Sequence, residues 1–324
     1  MDMGIILNVI LLIVGFAFLI KGSDIFVDGA SNIAAILKIP TIIVGLTIVA
    51  LGTSAPEAAV SITSSLSGSN AMAVSNVIGS NMFNMLMIIG LCALISELPL
   101  EKEVLQRDLF ILLIVTAAFC LITWYFSGVL NYIGIGLLIG LVAYIILLIR
   151  SAETSGARNF VEEPEFSLPK SILFIVLGLI LIVVGGNWVV DSASYIAMAF
   201  GMSETLVGLT IVAIGTSLPE LVTSITALRK GENQIVIGNV IGSNIFNILF
   251  VLGASSAISS ITLDSSIIYD LVFLGICTLI FFVFGETNIL SEKRDHFDKP
   301  EGIILTLLFL FYMAFAIWRN YFAF

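Results

Sequence analysis

The feature that most constrains this chain is a succession of ten long apolar runs, at 4–37, 41–66, 72–97, 106–127, 131–150, 169–200, 204–228, 235–260, 268–285 and 301–319. Runs of about 17 to 25 apolar residues are long enough to cross a hydrocarbon layer of about 30 Å as helices. The expectation is therefore an all-α polytopic membrane protein with ten transmembrane helices, with the lipid bilayer as its surroundings. Composition agrees: 59% of the 324 residues are hydrophobic and 11% charged, against about 25% charged in soluble domains. The first run begins three residues from the start, with no basic stretch before it and no small-residue cleavage site after it, and reads as a retained span.

Basic residues orient the spans, because Lys and Arg concentrate in cytoplasmic loops. With the first residue outside, Lys38, Lys102, Arg107, Arg150, Arg158, Lys170, Arg229, Lys230, Lys293, Arg294 and Lys299 fall inside, Arg319 falls outside and Lys21 lies within the first span. Both termini are expected outside a cell membrane. Removing or adding one span would scatter the later basic residues over both faces, so the same assignment supports ten.

The chain also repeats itself. VGLTIVALGTSAPEAAVSI at 44–62 recurs as VGLTIVAIGTSLPELVTSI at 207–225, and SNVIGSNMFNML from Ser75 recurs as GNVIGSNIFNIL from Gly238, both at an offset of 163 residues. The offset reaches back to Gly22, Asp28 and Ser31, which match Gly185, Asp191 and Ser194. Residues 1–150 then form a first five-helix repeat, with its motif at 44–86. Residues 169–324 form a second, with its motif at 207–249, and 151–168 is a charged cytoplasmic linker. Five spans per copy is an odd number, so the second copy is inverted. Inverted repeats with Gly- and Pro-interrupted segments at matching positions point to a secondary transporter whose site lies near mid-membrane.

The chemistry of the repeated motifs is that of a hard cation site. Glu57 and Glu220 lie in apolar spans, where an unpaired carboxylate costs several kcal/mol and marks a functional site by default. Pro56 and Pro219 cannot donate to the carbonyls of Gly52 and Gly215, which leaves backbone oxygens available. Ser80 and Asn84, and likewise Ser243 and Asn247, are four residues apart and share a helical face. Ser54 and Ser217 precede the glutamates by three. Two Glu, two Asn, several Ser and Thr and the carbonyls supply enough oxygens for the six to eight ligands of calcium, while soft or imidazole ligands are lacking.

Blander roles fit some of these residues. Ser54 to Glu57 has the pattern of a helix capping box, and Ser80, Asn84, Ser243 and Asn247 can serve as interhelical hydrogen bonders. Asp24, Asp28 and Asp191 suit capping or gating contacts better than ligation. His296 sits in a charged loop and reads as solvated, and Cys92, Cys120 and Cys277 are too far apart for a clip or a disulfide. The formal charge of −10 resides mostly in loops; neither a nucleic-acid nor an obligatory protein partner is expected.

At these motifs the chain resembles the cation/calcium exchanger superfamily, in particular its prokaryotic sodium/calcium exchanger-like members, whose two repeats carry GTSxPE and GSxxxN-type motifs. The resemblance covers nearly the whole chain. It implies the sodium/calcium exchanger fold, antiport of sodium against calcium by alternating access, transported ions in place of cofactors, and no enzyme activity. It also implies that Glu57 and Glu220 are shared carboxylate ligands, that Ser54, Ser217, Ser80, Ser243 and Asn84 complete overlapping sites, and that the carbonyls of Ala50, Ala213, Thr53 and Thr216 contribute. Asn247 stands where some members have aspartate, so one negative charge is missing. A proton/calcium exchanger, a potassium-dependent exchanger and a cation channel remain as rivals. A membrane enzyme is disfavoured, because no nucleophile has a base beside it.

Overall fold

A computed structural model describes residues 3–67, 70–100, 105–155, 163–202, 211, 213–262, 267–286 and 296–322. The apolar runs are helices: α1 (Met3–Leu37), α2 (Thr41–Thr53), α3 (Ala55–Leu66), α4 (Met72–Ile95), α5 (Arg107–Phe126), α6 (Asn131–Ser155), α7 (Leu168–Ala199), α8 (Leu218–Arg229), α9 (Asn233–Ile258), α10 (Ile267–Glu286) and α11 (Lys299–Phe322). Eight are long and apolar enough to cross a bilayer alone, and α2 with α3 forms a ninth span bent by 47°. Of the tenth expected span, 204–228, residues 204–210 and 212 lie outside the described residues, and α8 is its downstream part. The first linker residues are helical, since α6 continues to Ser155.

Burial sorts these helices into a core and a lipid-facing shell. In the most apolar window of α9, 94% of residues are buried, against 11% for α1. Outward side chains such as Ile13, Leu121, Ile139 and Phe311 are large and apolar, a surface suited to lipid.

Glycines set the antiparallel packing of α1 on α7. A Cβ at Gly15 would lie 2.9 Å from the Gly185 carbonyl oxygen, and one at Gly22 2.9 Å from that of Gly178. Gly15 and Gly178, like Gly22 and Gly185, are 163 residues apart, so each glycine of one copy meets its non-equivalent partner in the other. Small residues allow this approach without a hydrophobic driving force between helices in lipid.

The copies also interlock at their margins. The two-residue strands β1 (Leu98–Pro99), β2 (Gly128–Val129), β3 (Ile261–Thr262) and β4 (His296–Phe297) pair antiparallel as β1 with β4 and β2 with β3. The register matches Leu98 with Phe297 and Val129 with Ile261. Each ladder joins one copy to the other, and neither was legible from apolar periodicity. Matching clamps hold the outer helices. Asp108 of α5 accepts from Arg107 and from Tyr144 of α6, and Asp270 of α10 accepts from Tyr312 and Arg319 of α11.

Candidate ion site

The site begins where helices break. Ser54, at φ −80° and ψ 7°, separates α2 from α3, and Ser217, at φ −94° and ψ 7°, precedes α8. In each case the proline that follows lies in the first helical turn, where its missing N–H costs nothing. Neither serine caps its own helix through its side chain, so the capping-box role does not hold.

The hydroxyls reach across the molecule instead. Ser54 Oγ donates to Glu220 Oε1 at 3.1 Å, and Ser217 Oγ donates to Glu57 Oε1 at 3.1 Å. Both glutamates are fully buried. Each binds the serine of the opposite motif, so the two carboxylates adjoin. Glu57 Oε1 also accepts from Ser80 Oγ at 3.3 Å. Among the described residues, Glu57 Oε2 and Glu220 Oε2 have no hydrogen-bond partner, an arrangement that costs the desolvation of a charged oxygen unless a cation meets it.

Neutral oxygens surround the pair. Thr53 Oγ1 lies 3.0 Å from Asn239 Oδ1, and Ser243 Oγ donates to the Ala50 carbonyl at 3.4 Å. Thr216 Oγ1 donates to Asn76 Oδ1 at 3.4 Å, and Ala213 opens the short helical turn Ala213–Gly215 just upstream. Asn247 Nδ2 donates to Asn81 Oδ1 at 3.1 Å, whereas neither amide atom of Asn84 has a partner among the described residues. The expected interhelical bonding thus occurs at Ser80, Ser243 and Asn247 but not at Asn84. Asn84 and Asn247 lie in π-helical turns, Phe83–Ile88 and Asn247–Leu252, a distortion frequent at functional sites.

Four further asparagines belong to this centre, and motif reading passed over them. Asn76 Nδ2 holds the Glu57 carbonyl at 3.3 Å and Ser61 Oγ at 3.0 Å. Asn239 Nδ2 holds the Glu220 carbonyl at 3.4 Å and Ser224 Oγ at 3.0 Å. Asn81 and Asn244 are fully buried beside them. The signal was present, because all four recur at the 163-residue offset within apolar spans. Among the described residues, no group of three or more His, Cys, Asp or Glu side chains gathers, so a cation here would draw on two carboxylates and neutral oxygens.

The remaining acidic residues sit apart. Lys230, just beyond α8, reaches Asp24 Oδ1 at 2.8 Å and Asp28 Oδ1 at 2.5 Å on α1, while Asp191 is exposed. His296 lies partly buried in β4 rather than in a solvated loop.

Comparison with known proteins agrees with this geometry. A family profile described as sodium/calcium exchanger protein matches residues 7–150 and 170–318. The chain is 36% identical to the inner membrane protein YrbG of Escherichia coli, covering 96% of this chain and 97% of that protein. It is 32% identical to the sodium/calcium exchanger MaX1 of Methanosarcina acetivorans, over 97% and 98% of the two chains. The solved structure of the sodium-calcium exchanger NCX_Mj, soaked with 2.5 mM Na+ and 0.1 mM Ca2+, superposes with a TM-score of 0.82 at 30% identity, covering 95% of this chain and 98% of that one. The chain belongs to the sodium/calcium exchanger protein family and is a multi-span membrane transporter of the cation/calcium antiporter type, not an enzyme.

Proposed function

We propose that the protein exchanges sodium for calcium across a cell membrane by alternating access. One observation carries the reading: two fully buried glutamates, cross-bonded through Ser54 and Ser217, each keep a carboxylate oxygen with no hydrogen-bond partner among the described residues. One calcium ion, or a comparable charge in sodium ions, neutralises the pair. Occupation by one ion type excludes the other, and that exclusion couples the two flows.

In this reading Glu57, Glu220, Ser54, Ser217, Ser80, Ser243, Asn84 and Asn247 provide side-chain oxygens, and Ala50, Ala213, Thr53 and Thr216 provide carbonyls. Residues 1–150 and 169–324 act as inverted halves, joined by a cytoplasmic linker, with both termini outside. The glycine-mediated contact of α1 with α7 supports movement of that pair as a unit against the core. A cross-link that fixes the pair to the core while transport continues would refute the sliding.

The test is calcium uptake into sodium-loaded liposomes diluted into sodium-free medium. Uptake that depends on the sodium gradient and disappears in Glu57→Gln supports the proposal. Uptake driven by a proton gradient moves the protein to proton/calcium exchange, and leak without any gradient moves it to the channel class.

A further inference from the structure

Deepening the exchanger reading, on which it rests, we infer that Asn81 is a positioning residue that turns the carbonyl oxygen of Asn247 toward the transported cation. The backbone oxygen of Asn244 can only accept, and Asn81 lies 3.2 Å from it through its side-chain amide, so Asn81 donates there with Nδ2. Asn81 Oδ1 is then the atom left to face Asn247. An oxygen there requires a donor, so Asn247 presents Nδ2, at 3.1 Å.

The remaining Asn247 atom is Oδ1, which is fully buried and has no partner among the described residues. Oxygen is the atom a hard cation takes, whereas the amide nitrogen would repel it. A flip of the Asn247 amide would break its bond to Asn81 and present N–H to the ion. Asn81 therefore fixes the polarity of a group on the opposite repeat without needing to touch the ion.

The equivalent arrangement in the other direction is not formed. Among the described residues, Asn244, the repeat counterpart of Asn81, has neither side-chain atom partnered, and neither has Asn84, the counterpart of Asn247. Asn81 thus orients one ligand amide while its twin remains unoriented. The relay also favours a neutral residue at position 247, because an ionised aspartate there would set two acceptors against each other.

A double-mutant cycle in reconstituted full-length protein tests this. The readouts are the sodium concentration that half-inhibits calcium uptake, the maximal uptake rate, and the melting temperature in ion-free buffer. Asn81→Ala and Asn247→Ala are each expected to raise the half-inhibiting sodium concentration by about 10- to 100-fold, the usual effect of removing a group that orients a metal ligand. The double variant is expected to match Asn247→Ala, because Asn81 acts through it. Effects that multiply, or an unchanged sodium requirement in Asn81→Ala, overturn the inference. If Asn81→Ala does not accumulate in the membrane, Asn81→Ser replaces it with the same expected and overturning results. Wild-type protein without sodium–calcium competition would fail the exchanger reading itself, and this inference with it.

Discussion

The two copies of the repeated motif share most of their residues and many of their bonds, including the crossed serines and the Asn76 and Asn239 contacts, but not all of them. Glu57 is held by two serines, Ser217 and Ser80, whereas Glu220 accepts from Ser54. Ser243, the counterpart of Ser80, turns instead to the Ala50 carbonyl. A second difference lies at the helix ends. Lys230 after α8 grips Asp24 and Asp28 of α1, while its counterpart Ser67 bonds the Ser64 carbonyl of its own helix at 3.0 Å. These are different kinds of asymmetry. Ser80 and Ser243 are the same residue in the same motif, so their unequal bonds come from conformation. Lys230 and Ser67 differ in sequence, so that asymmetry is written into the residues themselves.

Neutralising the carboxylates gives the largest expected effect and bears on both copies alike. Glu57→Gln and Glu220→Gln should each lower exchange by about a hundredfold or more, following the ~3 kcal/mol cost of removing one partner of a buried carboxylate–cation pair. Calcium uptake by each variant checks this, and a variant with near-normal exchange would break the equivalence of the halves.

The serines sharpen the comparison. Ser80→Ala and Ser243→Ala should each raise the half-saturating calcium concentration about tenfold, the value of one hydrogen bond to a charged group. The effects should fall on opposite membrane faces, because inverted repeats exchange roles between access states. Uptake measured in right-side-out and inside-out vesicles checks this; effects confined to one face would make the asymmetry permanent.

The Lys230 contact is partly exposed, so a smaller effect is expected. Lys230→Met should change the exchange rate about two- to fivefold, within the ~1 kcal/mol of such pairs, and Ser67→Ala less than about twofold. Vesicle flux assays compare them. Burial alone would lower the Lys230 pKa, but the hydrogen bonds and charges of Asp24 and Asp28 outweigh it and raise it above the ordinary lysine value. A raised cation pKa stabilises below the unfolded value and is lost only as pH climbs through the folded one. The difference in melting temperature between wild type and Lys230→Met should therefore hold steady up to about pH 10 and fade above it. A difference already gone at neutral pH would mean that the Lys230 ion pairs do not stabilise the fold.

Much of this was legible in the sequence because lipid imposes a simple rule. The observed spans of α1, α4, α5, α7, α10 and α11 begin and end within a few residues of the apolar runs, since a backbone in hydrocarbon must close its own hydrogen bonds. Glu57, Glu220 and their serines stood out as polar residues repeated at one offset. The cross-copy ladders β1–β4 and β2–β3 did not, because two-residue strands leave no periodicity. The roles of Asn76, Asn81, Asn239 and Asn244 were hidden for another reason: sequence reveals that a buried amide recurs, but not which way it points. The choice of Ser80 over Ser243 depends on conformation and has no sequence signal.

The central claim is that the two crossed carboxylates make one site for which sodium and calcium compete. Equilibrium binding of radiolabelled calcium to the purified protein, titrated with sodium, tests it most directly. The account predicts one high-affinity calcium per chain, displaced by sodium and lost entirely in either Glu57→Gln or Glu220→Gln. Retention of half the binding in each variant, or calcium binding indifferent to sodium, would contradict it.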